Sequence, residues 1–497
     1  MRIFLVCLLF LAGNALAAID PALIARLAAD DNDEKVAAIA AIVATGDPDS
    51  GRVLKSMADG ELRHEGQEVM VNNRVRRELE SAMAALKLFS SELDARRAAV
   101  KELASGADEA LLPLVKKALA KETDSGLKAD LELLAATLEI KGGDKASRLA
   151  AVKLLATSSK PSTKTLLLPL ADKAEPDEDV RRAAQESLKV VEARLARSNF
   201  AGIVFSGVSL GSILLLAALG LAITYGLMGV INMAHGELIM IGAYATYVVQ
   251  NVFRQYAPGA FDWYLLAAVP TAFIVSALVG MTLERSVIRW LYGRPLETLL
   301  ATWGLSLILI QAVRTIFGAQ NVQVENPSFM SGGVEILSGV VLPWSRIVII
   351  AFAAVVLALI GVLLARTRLG LFVRGVTQNR AMAACVGVPT ARVDTWAFGL
   401  GSGLAGLAGC ALSQIGNVGP DLGQAYIVDS FMVVVLGGVG QLAGTVYAAL
   451  GLGIANKFLE AWQGAVLAKI AVLVFIIIFI QKRPQGLFAL KGRQVEA

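Results

Sequence analysis

The sequence predicts an all-α protein in two parts, a soluble helical domain followed by a polytopic membrane domain of about 8–9 spans, some of them broken. Three observations carry that prediction. Apolar residues make up 56% of the chain and its mean hydropathy is +0.61, too apolar for a soluble protein of 497 residues. Up to residue 198 the sequence is rich in Ala, Leu, Lys, Glu, Asp and Arg, with apolar residues at helical spacing. From Phe200 onward it turns into long apolar stretches separated by short polar loops.

The elements follow in order. Residues 1–17 read as a secretory leader: Arg2 is the charged start, "IFLVCLLFLAG" the apolar core, and Ala15 to Ala17 a small-residue cleavage site. Residues 18–198 read as a helical domain on the far side of the membrane from the cytoplasm. Within it "RRAAVKEL" (Arg96–Leu103) returns as "RLAAVKLL" (Arg148–Leu155), and "LLPLVKKALA" is echoed by "LLLPLADKAE". That spacing of roughly 50–55 residues suits stacked helix pairs of HEAT-like character, with an irregular helical bundle as the alternative. His64, in "GELRHEGQE", reads as a solvated side chain.

Residues 199–497 form the membrane domain, with apolar stretches at about 203–228, 230–250, 264–284, 297–318, 347–365, 394–415, 427–458 and 465–481. The 427–458 stretch is too long for one span and is interrupted by "GGVGQLAG", so it reads as two shorter helices or a re-entrant pair. Basic residues concentrate in 285–294, 366–380 and the tail 481–493, which places those segments and the C-terminus in the cytoplasm. Counting spans back from them puts the amino-terminal domain outside, the side the leader independently predicts.

Several chemistries can be set aside. The net charge of +4 is mild and gives no reason to expect nucleic acid as a partner. Cys7, Cys385 and Cys410 make neither a disulfide framework nor a zinc spacing. No GxxxxGK[ST] loop and no HExxH motif occurs. "GSGLAG" (Gly401–Gly406) has the dinucleotide-binding spacing, but it lies inside an apolar helix, where Gly399, Gly403 and Gly406 instead make a smooth face for close packing.

Two segments hold candidate chemistry. "NMAHGELIM" (Asn232–Met240) carries Asn232, His235 and Glu237 between apolar stretches. His235 and Glu237 are two residues apart, about 200° around a helix, so they cannot share a metal. Asn232 and His235 would share one face. Polar residues within a membrane are costly, so a pathway or gating role is one reading. The other is that they satisfy backbone freed by a helix break near Gly229 and Gly236. Asp394, Asp429 and Lys469 lie near expected helix ends, where interfacial solvation accounts for them. The second segment, 366–393, has a helix-like middle, "TQNRAMAACVGV", closed by Gly387 and Pro389. It reads either as a plain positive-inside loop or as a short surface helix suited to a soluble partner's groove.

At these residues the chain resembles a known family. "LGLAITYGLMGVINMAHGELIMIGAYATY", "ATWGLSLILIQ", "TRLGLFVRGVTQNRAMAACVGV", "VVVLGGVGQLAGT" and "RPQGLF", in that order across residues 200–493, look like the permease subunits of branched-chain amino acid ABC importers. The helical extension resembles the urea-transporting branch of that family. The resemblance implies a non-enzymatic permease without a cofactor. It would line a path through the bacterial inner membrane with a second homologous permease, driven by two cytoplasmic ATPase subunits and supplied by a periplasmic binding protein. It further implies that Gly370, Arg374, Asn379, Ala383 and Gly387 form the loop that meets the ATPase, and that Asn232, His235 and Glu237 belong to the pathway. Met233 stands where the family often has Phe, also large and apolar. Urea or a related small amide is the expected cargo, since the spans carry few charges to hold a zwitterion. A branched-chain amino acid permease is the alternative. A signalling receptor and a passive urea channel are readings from other classes.

Overall fold

The computed structural model describes residues 21–29, 31–45, 50–64, 67–104, 111–142, 144–158, 160–229, 231–337 and 340–488. The leader expected at 1–17 lies outside the described residues, as does the side chain of His64. The chain divides at Ala196–Arg197 into two compact units.

The first unit is built from α1 (Pro21–Leu27), α2 (Asn32–Thr45), α3 (Ser50–Ala58), α4 (Asn73–Lys87), α5 (Leu93–Leu103), α6 (Leu112–Lys121), α7 (Ser125–Gly142), α8 (Lys145–Leu155), α9 (Pro161–Ala171) and the start of α10 (Glu178–Met228). Its short β1 (Arg63–His64) and β2 (Gln67–Glu68) form one hairpin. Most helices pack against a neighbour in sequence, as α4 does on α5 and α7 on α8. The echo seen in the sequence is physical. Arg96 makes a two-pronged ion pair with Glu122, at 2.8 and 3.1 Å, and Arg148 pairs with Glu175 at 2.8 Å. Arg148 lies 52 residues after Arg96, and Glu175 lies 53 after Glu122. The helix starts repeat as well: Asp124 caps Leu127 N–H, and Asp177 sits at the same place before Val180. Ala99, Val100 and Leu103 are buried at the positions that Ala151, Val152 and Leu155 occupy one repeat later. Each of these two repeats therefore buries one apolar stripe and carries a largely buried Arg–Glu pair at the same position.

Seven helices among the described residues are long and apolar enough to cross a membrane. They are α10, α12 (Tyr264–Ser286, preceded by a 3₁₀ turn from Pro258), α13 (Pro295–Phe317), α14 (Trp344–Arg366), α17 (Thr390–Ser413), α19 (Leu442–Gln463) and α20 (Ala465–Lys482). Two more helices stand outside that set. α11 (His235–Tyr256) is long enough but carries Glu237, Gln250 and Arg254. α18 (Leu422–Gly437) has 16 residues, about 24 Å, short of a bilayer core of about 30 Å. The 8–9 expected spans thus resolve into seven full-length candidates and two packed helices, and the over-long 427–458 stretch into α18 and α19 on either side of Gly438, whose φ is 98°. Between α13 and α14 the chain forms a hairpin of β3 (Gly333–Leu337) and β4 (Val340–Pro343) that the hydropathy pattern does not announce.

α17 is the centre of this unit. In its membrane-length window 89% of residues are buried, against 17% for α20, which therefore faces outward. Its glycines explain the burial. Gly399, Gly403 and Gly406 lie on one face against Met281, Phe273 and Ser276 of α12, as their spacing predicts. On other faces a Cβ at Gly401 would come within 2.6 Å of the Gly220 carbonyl of α10, and one at Gly409 within 1.9 Å of the Ile239 carbonyl of α11. Three neighbours approach this helix to backbone distance, which only a side chain of hydrogen permits. The GxGxxG spacing is a packing feature here: it lies within a buried helix and follows no strand.

Candidate functional site

The first candidate site begins where α10 stops. Gly229 takes a φ of 65° and ends the helix, and α11 restarts at His235. In the turn between them Asn232 folds back locally, its Oδ1 accepting a hydrogen bond from Ala234 N–H at 3.0 Å. Asn232 therefore precedes the helix and does not share a helical face with His235. Gly236 lies inside α11, against the backbone of Gly423 in α18, and has no part in the break.

The three polar side chains reach different neighbours. The His235 ring is fully buried, and its Nε2 lies 2.9 Å from the Ala217 carbonyl of α10. It occupies space beside Gly220, where a Cβ would come within 3.0 Å of the ring. Glu237 is also buried; its Oε1 accepts a hydrogen bond from Ser306 of α13 at 2.8 Å. One turn earlier on α13, Thr302 Oγ1 accepts from Met233 N–H at 3.2 Å. Thr298, Thr302 and Ser306 thus form a buried polar stripe down α13 that faces the start of α11. Further along the same face of α11, Tyr244 packs on Phe317 with ring centroids 4.7 Å apart. Within this seam Asn232 Nδ2, Glu237 Oε2 and Tyr244 Oη are buried with no hydrogen-bond partner among the described residues, and beside it the same holds for His235 Nδ1. Such a set offers a donor, an acceptor and a group that can be either. The sequence carried a signal for α13 that the motif at 232–237 overshadowed: in "ETLLATWGLSLILIQ" the hydroxyls recur every four residues in an otherwise apolar helix.

The second candidate site is the basic loop between α14 and α17. It folds as two short helices, α15 (Arg368–Gln378) and α16 (Arg380–Cys385). Thr367 caps α15 at Gly370 N–H, and Asn379 caps α16 by accepting from Met382 N–H at 2.9 Å. Gly370 is buried where α15 turns back on α14, and a Cβ there would come within 2.1 Å of the Leu364 carbonyl. Ala383 is buried, and Gly387 ends the segment with a φ of 87°. The five expected residues therefore divide by role: Gly370, Asn379 and Gly387 shape the backbone, Ala383 packs inward, and Arg374 projects outward. The exposed surface also holds Leu371, Met382 and Val386, each at least 60% exposed.

Two further expectations change. Asp394 is not solvated at a helix end: its side chain is fully buried in α17 and paired with Arg380 of α16. Asp429 lies within α18, largely buried, 3.8 Å from Lys469 of α20. Burying a carboxylate demands a partner, and both have one. Among the described residues no group of three or more His, Cys, Asp or Glu side chains comes together as a metal site.

Residues 203–481 match the family described as the branched-chain amino acid transport system permease component. Relatives include the high-affinity branched-chain amino acid transport system permease protein BraD of Pseudomonas aeruginosa, 28% identical over 288 residues, 57% of this chain and 93% of BraD. The corresponding protein LivH of Escherichia coli strain K12 is 28% identical over 290 residues, 57% of this chain and 94% of LivH. A probable branched-chain amino acid transport permease protein LivH of Methanocaldococcus jannaschii is 24% identical over 305 residues, covering 57% of this chain and 91% of its own. No solved structure matches the chain significantly. A match over more than half the chain, carried by the unit that holds the membrane helices and both candidate sites, makes this multi-pass, non-enzymatic membrane protein a member of the branched-chain amino acid ABC transporter permease family.

Proposed function

We propose that this chain is one of two related permease subunits of an ATP-driven importer in the bacterial inner membrane. Two ATPase subunits on the cytoplasmic side drive it, and a binding protein delivers cargo from the other side. The family match across residues 203–481 carries this reading. The basic segments at 285–294, 366–380 and 481–493 lie in the cytoplasm, and the helical domain lies opposite. Arg374 and the exposed Leu371, Met382 and Val386 of the same two-helix loop are the surface that meets the ATPase: apolar side chains left bare on a loop that also presents a charge suit a soluble partner's groove. Asn232 and Glu237 belong to the cargo path, supported by their unpartnered buried atoms. His235 holds the bend between α10 and α11 through the contact of its Nε2 with the Ala217 carbonyl and its place beside Gly220, while its buried Nδ1 is unpartnered like the atoms of Asn232 and Glu237.

Branched-chain amino acids are the first cargo class, since the relatives are named for them. A specific observation favours a second, small neutral amides such as urea. The buried charged side chains described in the membrane unit are Glu237, Glu284 and Asp394, all acidic. A zwitterion's carboxylate would find no buried Lys or Arg there and would depend on helix ends. Purifying the chain with its co-expressed partners, then measuring labelled leucine and labelled urea uptake with each as competitor of the other, tests the assignment. Copurified ATPases and saturable uptake of one of the two support it; uptake of neither would refute it.

A further inference from the structure

A second side-chain network among the described residues of the membrane unit links the two-helix loop to α17, α12 and the end of α10. Arg380, the first residue of α16, directs both terminal nitrogens of its guanidinium at Asp394 of α17, one of them 3.2 Å from Oδ1. The same guanidinium lies over the ring of Tyr292, 5.1 Å from its centroid. Tyr292 follows a 3₁₀ turn (Ile288–Leu291) in the loop between α12 and α13. Its hydroxyl donates to Glu284 near the end of α12, at 2.9 Å, and contacts the sulfur of Met228 at the end of α10, at 3.1 Å. The other carboxylate oxygen of Glu284 accepts from Thr395, the neighbour of Asp394, at 2.7 Å. The contacts form a closed circuit: Arg380, Asp394, Thr395, Glu284, Tyr292 and back to Arg380.

The circuit has an unusual arrangement of exposure. Asp394 and Glu284 are buried, yet the arginine paired with Asp394 sits on the loop and is nearly half exposed. The buried Asp394 therefore has its ion-pair partner on a surface helix, and Glu284 is joined to that pair through Tyr292 and Thr395. Removing that cation leaves buried charge unpaired, so the circuit ties the position of α16 to the packing of α17, α12 and the end of α10. A planar fork stacked on an aromatic ring also fixes direction, which a lysine would not. α17 is the helix that α10, α11 and α12 all touch at backbone distance, so a displacement applied at Arg380 reaches the centre of the unit.

We propose that Arg380 is a positioning residue for transport: it transmits movement of the α15–α16 loop to α17 and through it to the helices around the path. This rests on the reading of that loop as the ATPase-facing surface, and the two fail in different ways. If the loop does not meet the ATPase, Arg374→Glu leaves the ATPases bound. If Arg380 does not transmit, its variants keep the ATPases bound and transport normally.

The test uses the assembled importer with Arg380→Lys and with the double variant Arg380→Gln/Asp394→Asn. The lysine keeps the charge but loses the fork and the stacking. The double variant removes both charges and leaves no unpaired partner at Asp394. Copurification of the ATPases, ATP hydrolysis and labelled-cargo uptake are measured on the same preparations. The expected result is intact assembly with cargo moved per ATP hydrolysed falling at least tenfold in both variants. Unchanged transport per ATP in either variant overturns the proposal, whether yield is normal or reduced, since a merely structural role would lower the amount of importer and not its coupling.

Discussion

Asn232, His235 and Glu237 stand within six residues of one another, and their side chains make three different kinds of contact. The spacing of His235 and Glu237 excludes shared chelation from sequence alone, and the start of α11 at His235 then leaves Asn232 outside the helix they occupy. Different variants should therefore fail differently. Glu237→Gln keeps the shape and an acceptor for Ser306 but changes the buried oxygen that lacks a partner; uptake per folded molecule should fall at least tenfold with yield preserved. His235→Ala should do the reverse, lowering yield in the membrane while the surviving protein transports normally. Uptake and quantified membrane protein, measured together, separate the two, and normal uptake by Glu237→Gln would remove that residue from the path. Packing gives a residue prediction independent of function. Gly409→Ala must push α17 away from the Ile239 carbonyl, an overpacking cost of about 1–3 kcal/mol or more, visible as a lower unfolding midpoint in detergent. Gly304→Ala, inside α13 where a Cβ would meet nothing within 4 Å, is the matched control and should leave the midpoint unchanged or slightly raised.

At the scale of elements the helical repeat and the loop carry the predictions. In the repeat, the Arg96 fork and then the backbone N–H groups of Asp124 and Thr123 hold the Glu122 carboxyl down at about 2, below its ordinary 4.5. A depressed acid stabilises fully above its unfolded value and loses that contribution as pH falls through the folded one. Glu122→Gln should therefore weaken the helical domain at neutral pH and flatten its stability change between about pH 4.5 and 2, read by limited proteolysis of the full chain. An unaltered acid profile would mean that the clasp contributes nothing. In the loop, Arg374→Glu reverses the charge on the outward face without touching Gly370 or Ala383; it should release the ATPases while the protein remains in the membrane. Much of this level was legible beforehand. Hydropathy located the apolar helices, the echo of "RRAAVKEL" marked a repeat, and the 399, 403 and 406 spacing named the face that meets α12. What escaped depends on residues far apart in the chain. Ser306 meets Glu237 across 69 positions, and Glu284 meets Thr395 across 111, so neither pair has a local pattern. The burial of Asp394 escapes the sequence because closeness to a helix end says nothing of burial; an arginine 14 residues earlier removes the need for solvent.

For the whole molecule, the membrane unit is a set of helices gathered around α17, with a polar seam between α11 and α13 and a two-helix loop between α14 and α17. The family match and the architecture agree on transport, and the proposed division of labour is that the seam meets cargo while the loop meets the ATPase. A channel would need only the seam, and a receptor would need neither ATP nor a continuous path. The decisive measurement is labelled-cargo uptake by cells carrying this chain with its partner subunits, comparing intact ATPases with ATPases disabled at their nucleotide sites. Uptake that collapses to background when hydrolysis is disabled, with the assembled complex still recoverable, is the predicted result. Uptake that continues undiminished without hydrolysis would contradict the importer account and leave a passive channel in its place.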